Sequence, residues 1–334
     1  MPRLLERTDI AYHRMSAREI SLRDTAIGGP VRNRAWMFPP KLLERGRNLL
    51  LMIHGFNVTL CEAGCAFEKF EQNLNLRWRA RAVSLYWPGD TQNIFASSRV
   101  KRGLATKGWA ALNYPRQIKR AQQSASVLLN GFRQTVPLRS IAQPPLNLTI
   151  VAHSMGCRLT LEFLQLLEAT RLRISVPLVV LMAAAVPRYL VRQGAPLARA
   201  IRLPDRVIVH KSKADVVLAG AFRPGQLLEW SRWHGLNLSA RAAIGRQGCG
   251  ANAPGNVHEI LGERGHSDYW PDEAIAGGVI DHLDGAQASA AVFRPLELRQ
   301  RISGRSMAFQ VTDGRRLSSR PVGRRGLRRV CKSC

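Results

Sequence analysis

Acidic residues are scarce in this sequence: 23 Asp and Glu stand against 50 Lys and Arg, for a formal net charge of +27. Such a deficit points toward phosphate-rich or other anionic surfaces as partners. It is spread along the chain. Residues 299–334 carry eleven bases and the single acid Asp313, and residues 1–298 still hold 39 bases against 22 acids, a net +17. Arginine far outnumbers lysine and alanine is abundant, a composition that a GC-rich genome also produces, so charge alone assigns no binding role. Also missing is any apolar run near the roughly eighteen residues of a membrane span. The opening stretch MPRLLERTDIAYHRMSAREI lacks the apolar core of a secretory signal. A cytoplasmic location is therefore expected. Cysteine is sparse and scattered, at positions 61, 65, 157, 249, 331 and 334. The pattern is not that of a disulfide framework, and Cys331-x-x-Cys334 has no second ligand pair nearby of the kind zinc requires. No metal site is expected from these cysteines.

The most informative stretch is Leu146 to Phe163, LNLTIVAHSMGCRLTLEF. Leu148, Ile150 and Val151 supply the continuous apolar run of a strand buried on both faces. Ala152-His153-Ser154-Met155-Gly156 follows at once, and apolar residues from Cys157 to Leu167 at helical spacing follow that. Strand, sharp turn and helix with a serine at the turn is the geometry of a nucleophile elbow. The serine must sit in a strained conformation that lifts its hydroxyl above the sheet edge. Its neighbours two before and two after must then be small, so that strand and helix can pack closely. Ala152 and Gly156 meet that condition. The competing reading is an ordinary turn whose serine caps the helix.

The remaining chemistry is arranged around this element. Residues 1–47 carry no motif and are read as an N-terminal extension with edge strands or loops. Asn48 to Ile53, NLLLMI, is a buried strand ending in His54-Gly55-Phe56-Asn57. Gly55 lets the backbone turn so that the Phe56 N–H, beside that of Met155, can face a substrate oxygen as an oxyanion hole. His54 is read as ordering this loop rather than acting as an acid or base. Glu62 to Leu76 has a helical pattern, Ala80 to Tyr86 that of a strand ending in Trp87-Pro88-Gly89-Asp90, and Pro115 to Phe132 that of a long helix. Thr91 to Tyr114 is weakly patterned. After the elbow, Val176 to Ala184 is a strand, Tyr189 to Arg202 a short helix or lid, and Arg206 to His210 the start of another strand. Asp215 lies just past that strand's end, where the acid of a triad belongs. Asp205 precedes the strand, and Asp268 is only two residues from His266. Val216 to Arg264 is read as loop with short helices. His266 stands on a loop ahead of a helix expected from Pro271 to about Leu283, the placement a general base needs; His210 is assigned to packing.

The order Ser154, Asp215, His266 after an early His-Gly strand end is that of the α/β-hydrolases. HGFN at 54–57, Trp-Pro-Gly at 87–89, AHSMG at 152–156 and GHSDYW at 265–270 together resemble the bacterial family of α/β-hydrolases whose substrates are largely unassigned. The resemblance covers roughly Asn48 to Leu283. It implies a mostly parallel, eight-stranded sheet flanked by helices, a Ser-Asp-His triad and no cofactor. Ala152 in place of glycine, and an HGFN without the proline of the HGxP subgroup, depart from the wider superfamily. The expected organisation is a catalytic domain over 48–298 and a basic tail over 299–334. The expected activity is cleavage of an ester, thioester or similar acyl bond through an acyl-enzyme on Ser154. His266 would be the base, Asp215 the orienting acid, Phe56 and Met155 the oxyanion donors, and His54, Gly55 and Gly156 supporting residues. Two alternatives keep the scaffold: an acyltransferase with the same triad, or a non-catalytic protein binding nucleic acid or anionic surfaces. The tail, with few apolar residues to bury, is expected to be flexible and to contact polyanions weakly, or to be an unselected Arg-rich terminus.

Overall fold

From Asn48 onward strands alternate with helices, in a computed structural model that describes residues 18–24, 30–39, 42–43, 48–90, 104–136, 145–220, 222 and 242–292. Residues 1–17 and the basic tail at 299–334 lie outside the described residues. One compact unit spans Met1–Ile280 and a second spans Asp281–Cys334.

Strands β1 (Glu19–Arg23) and β2 (Val31–Phe38) pair antiparallel and form one edge of the sheet. β3 (Asn48–Ile53) follows, then helix α1 (Leu60–Gln72), which opens on a capping box. There Glu62 N–H donates to Thr59 Oγ1 at 3.2 Å and Thr59 N–H to Glu62 Oε2 at 3.0 Å, satisfying two donors that a helix start leaves unpaired. Next come the short α2 (Leu76–Arg79), β4 (Ala82–Tyr86), α3 (Leu104–Thr135), β5 (Leu146–His153), α4 (Met155–Glu168), the two-residue β6 (Ile174–Ser175) and β7 (Leu178–Met182). β8 (Arg206–Ser212), α5 (Val216–Gly220), α6 (Ile244–Gln247), β9 (Val257–Gly262) and α7 (Glu273–Val292) complete the order. The sheet runs β2-β1-β4-β3-β5-β7-β8-β9, with β6 paired to β5. Among the described strands every pairing except β1 with β2 is parallel. This is the mostly parallel α/β architecture expected, with an eight-strand path and one short extra strand.

The central strands are apolar along their length because both faces are covered. β3, β5 and β7 (NLLLMI, LNLTIVAH and LVVLM) are almost wholly buried. α3 packs on α4, with Phe132 and Phe163 ring centroids 5.5 Å apart. Because the strands are parallel, the C-terminal ends of β3, β5 and β8 open on one edge of the sheet, the edge where open α/β sheets place their sites.

Three stretches differ from the sequence reading. Val216 to Arg264, expected as loop with short helices, contains β9. Its six residues VHEILG are only partly covered and mix charge with apolar side chains, since β9 lies at the end of the strand order and needs no continuous apolar run. α3 begins at Leu104, well ahead of Pro115, so part of the weakly patterned stretch is helical. A proline removes one hydrogen bond from a helix, and Leu104, Ala105, Ala110, Ala111 and Leu112 are good helix formers on its N-terminal side. Tyr189 to Arg202 forms a single 3₁₀ turn, Arg188–Val191, followed by turns. Among the described residues Cys65, Cys157 and Cys249 are reduced thiols. Among the described residues no helix is long and apolar enough to cross a membrane.

Candidate active site

The site forms where the ends of β3 and β5 touch. Ser154, between β5 and α4, has φ 53° and ψ −120°, a conformation costing on the order of 1–3 kcal/mol for a residue with a side chain. The end of β7 holds it: Ser154 N–H donates to Met182 O at 2.9 Å, and Ala185 N–H donates to Ser154 O at 3.1 Å. Ser154 makes no side-chain cap on α4. Glycine is required at both contacts with β3. A Cβ on Gly156 would lie 2.4 Å from His54 O and 2.8 Å from Ile53 O, and a Cβ on Gly55 would lie 2.9 Å from both His153 Nδ1 and Ser154 Cβ. The two motifs, about a hundred residues apart in sequence, therefore fit only without side chains at these positions.

The three residues singled out from chain order are brought into one hydrogen-bonded line. His266 Nε2 is 3.0 Å from Ser154 Oγ, and His266 Nδ1 is 2.8 Å from Asp215 Oδ2. A carboxylate only accepts, so Nδ1–H donates to Asp215 and Nε2 presents its lone pair to the serine hydroxyl. Asp215 is fully buried, and its other oxygen accepts Leu218 N–H at 2.9 Å. The other two carboxylates do not compete: the Asp205 backbone is tied to Val176 O at the far end of β8, and Asp268 Oδ2 accepts Gly265 N–H at 3.0 Å within its own turn.

The loop carrying His266 is fastened on several sides. Arg264 pairs with Asp272, Asn73 Nδ2 donates to Pro271 O at 3.0 Å, and Trp270 meets Phe67 and Phe70 edge-on at 5.1 and 5.6 Å. Phe56 and Met155 follow Gly55 and Ser154 directly. Among the described residues neither backbone N–H has an acceptor, as a first-turn position requires for Met155. Asn57, at φ 56°, donates its N–H to Gly89 O at 2.8 Å and so turns the Phe56 loop toward the end of β4.

His54 is part of this framework. Its Nε2 accepts Trp87 N–H at 3.3 Å, so Nδ1–H donates to Gly55 O at 2.9 Å, and Trp87 Nε1–H returns to His54 O at 2.9 Å. Burial pushes its pKa down to about 4, keeping the ring neutral. The ring thus lies between the Gly55 carbonyl and the Trp87 backbone. His210, assigned to packing, is likewise buried and pushed down to about 4 by burial.

Sequence reasoning missed four contributors. Arg23 and Asp90 form an ion pair at 2.8 Å with side chains 2% and 4% exposed, and Arg23 also donates to Trp87 O at 3.2 Å. Arg120 donates to Asp90 O at 3.1 Å. Together they clamp the loop against which His54 packs; only Asp90, within the quoted Trp-Pro-Gly-Asp ending, left a trace in the sequence. The fourth is His153, in the variable position of the elbow, whose Nε2–H donates to the His266 carbonyl at 2.6 Å. Among the described residues no group of three or more His, Cys, Asp or Glu could hold a metal ion.

Residues 34–221 match a family described as alpha/beta hydrolase of unknown function (DUF900). No curated protein matches the sequence. Solved structures similar to the chain include MenH from S. aureus, at 11% identity, covering 73% of this chain and 96% of that one, with a TM-score of 0.36. The product of the gene lin2722 from Listeria innocua is 9% identical over 72% and 94% of the two chains, with a TM-score of 0.38. A lipase-esterase related protein from Clostridium acetobutylicum is 12% identical over 72% and 95%, with a TM-score of 0.34.

Proposed function

The chain belongs to this alpha/beta-hydrolase family, and on that premise we propose that it is a serine hydrolase acting on an ester, thioester or similar acyl bond. The observation that carries the proposal is the line Ser154 Oγ, His266, Asp215, with contacts of 3.0 and 2.8 Å, set at a strained strand-to-helix turn.

In this mechanism the Ser154 hydroxyl gives its proton to His266 Nε2 as Oγ attacks the acyl carbon. Asp215, already accepting from Nδ1–H, holds the tautomer and stabilises the imidazolium. The carbonyl oxygen becomes an oxyanion facing the Phe56 and Met155 N–H groups. Removing one such donor costs on the order of a hundred-fold or more in turnover, so the Phe56 loop matters beside the triad. Collapse expels the alcohol or thiol, which takes the proton from His266, and leaves the acyl group on Ser154. Water then gives a proton to His266 as it attacks the acyl carbon, and His266 returns that proton to Ser154 Oγ as the acyl–Oγ bond breaks and the acid leaves. An acceptor other than water would make the same acyl-enzyme an acyltransferase. Turnover of p-nitrophenyl esters of increasing chain length, with and without added alcohol acceptors, tests both. Ester cleavage that Ser154→Ala loses by several orders of magnitude is expected. Equal turnover by the wild type and Ser154→Ala would overturn the proposal.

A further inference from the structure

His153 sits next to the nucleophile yet has no place in the acyl-enzyme mechanism, and its own bond goes to the backbone of the base. The bond from Nε2–H to the His266 carbonyl is 2.6 Å long and joins residues 113 apart in sequence. A carbonyl only accepts, so Nε2 carries the proton. His153 is 6% exposed. Burial first, and the adjacent His266 second, push its pKa down to about 3, so it remains a neutral donor across any ordinary working pH. Its centroid lies 5.0 Å from that of His266, 6.1 Å from Tyr269 and 6.3 Å from Trp270, against the loop that carries the base.

The two hydrogen bonds of the His266 ring hold its nitrogens but not its main chain. The ring reaches Ser154 and Asp215 together only if its Cα is correctly placed. The His266 carbonyl is the backbone group tied directly to the elbow. Because His153, the last residue of β5, directly precedes the strained Ser154, this tie references the base to the nucleophile itself.

We propose that His153 is a positioning residue that sets the register between nucleophile and base through its bond to the His266 carbonyl. The inference rests on the serine-hydrolase reading above. A single hydrogen bond contributes only modestly to stability. A displacement of roughly 1 Å between reacting groups costs on the order of a hundred-fold in rate. Loss of the bond should therefore appear in catalysis far more than in folding.

Three substitutions separate donor from packing. Gln places its amide nitrogen as many bonds from Cβ as Nε2 is, Asn falls one bond short, and Leu offers bulk without a donor. Melting temperature, p-nitrophenyl acetate kinetics and the rate of fluorophosphonate labelling are measured for His153→Gln, His153→Asn and His153→Leu beside Ser154→Ala. The expected result is a fall in kcat and labelling rate of about 30- to 100-fold for Leu and Asn at unchanged KM, with most of the loss recovered by Gln. Wild-type turnover in His153→Leu overturns the proposal, and so does a folded His153→Gln as impaired as His153→Leu. Failure of both Leu and Asn variants to fold would make His153 a structural residue and overturn it as well. Undiminished labelling of Ser154→Ala would instead refute the serine-hydrolase reading, an outcome independent of the three His153 variants.

Discussion

Gly156→Ala places a methyl carbon where the space is already taken by backbone. The added Cβ would lie 2.4 Å from His54 O, 2.8 Å from Ile53 O and 3.0 Å from Ile53 Cγ2. Ordinary carbon–oxygen contact needs roughly 3.4 Å, so β3 and the elbow must separate by up to about 1 Å, and no flexible side chain can absorb the shift. Overpacking of this kind costs about 1–3 kcal/mol in stability. In the proposed mechanism the catalytic cost should be larger, because the loop after β3 carries the Phe56 N–H and the elbow carries Ser154 and the Met155 N–H. Moving the two apart by ~1 Å would lengthen one donor contact to the proposed oxyanion, for an expected loss on the order of a hundred-fold in kcat. The assay is steady-state ester hydrolysis together with a thermal melt. A variant that folds, melts within a degree or two of the wild type and keeps its turnover would refute the claim that the two motifs meet at van der Waals distance.

Asp215→Asn should lower turnover by about ten-thousand-fold through loss of the correct His266 tautomer, whereas Asp268→Asn, whose carboxylate accepts Gly265 N–H within its own turn, should cost little; the reverse ranking in kcat would reassign the acid. His54 has a folded pKa of about 4, below its unfolded value of 6.5, so the unfolded chain binds the proton first as pH falls. Its contribution is therefore complete above pH 6.5 and is lost between 6.5 and about 4, by on the order of 3 kcal/mol. Urea midpoints from pH 7 to 4.5 should fall less steeply in His54→Asn than in the wild type, and parallel curves would remove this cause. Deletion of residues 299–334, with eleven bases and one acid, should leave ester turnover intact and weaken salt-dependent retention on heparin; unchanged retention would return the polyanion affinity to the net +17 of residues 1–298.

What could be read from sequence follows from what each residue answers to. NLLLMI, LNLTIVAH and LVVLM announce central strands because burial on both faces leaves a continuous apolar run. The elbow is visible because its strain demands small residues at fixed offsets from Ser154. Asp215 and His266 were singled out by chain order together with their positions past a strand end and ahead of a helix, and the structure brings both to Ser154. β9 escaped because a strand at the end of the order, half in solvent, needs no such run; Glu259 on it pairs with Lys211 of β8, a match invisible until the register is known. Arg23 and Asp90 lie 67 residues apart and have no local periodicity to announce their pairing, although losing one partner of so buried a pair costs about 3–5 kcal/mol. His153 had the weakest signal of all, since the elbow pattern permits any residue there and its partner is a main-chain carbonyl.

The central claim, that Ser154 is the nucleophile, is tested most directly by treating the folded protein with a fluorophosphonate and locating the adduct by mass spectrometry of peptides. A single phosphonyl adduct on Ser154, formed in the wild type and absent in Ser154→Ala of unchanged melting temperature, is the predicted result. An adduct on another residue, or none on a folded wild-type protein, would contradict it.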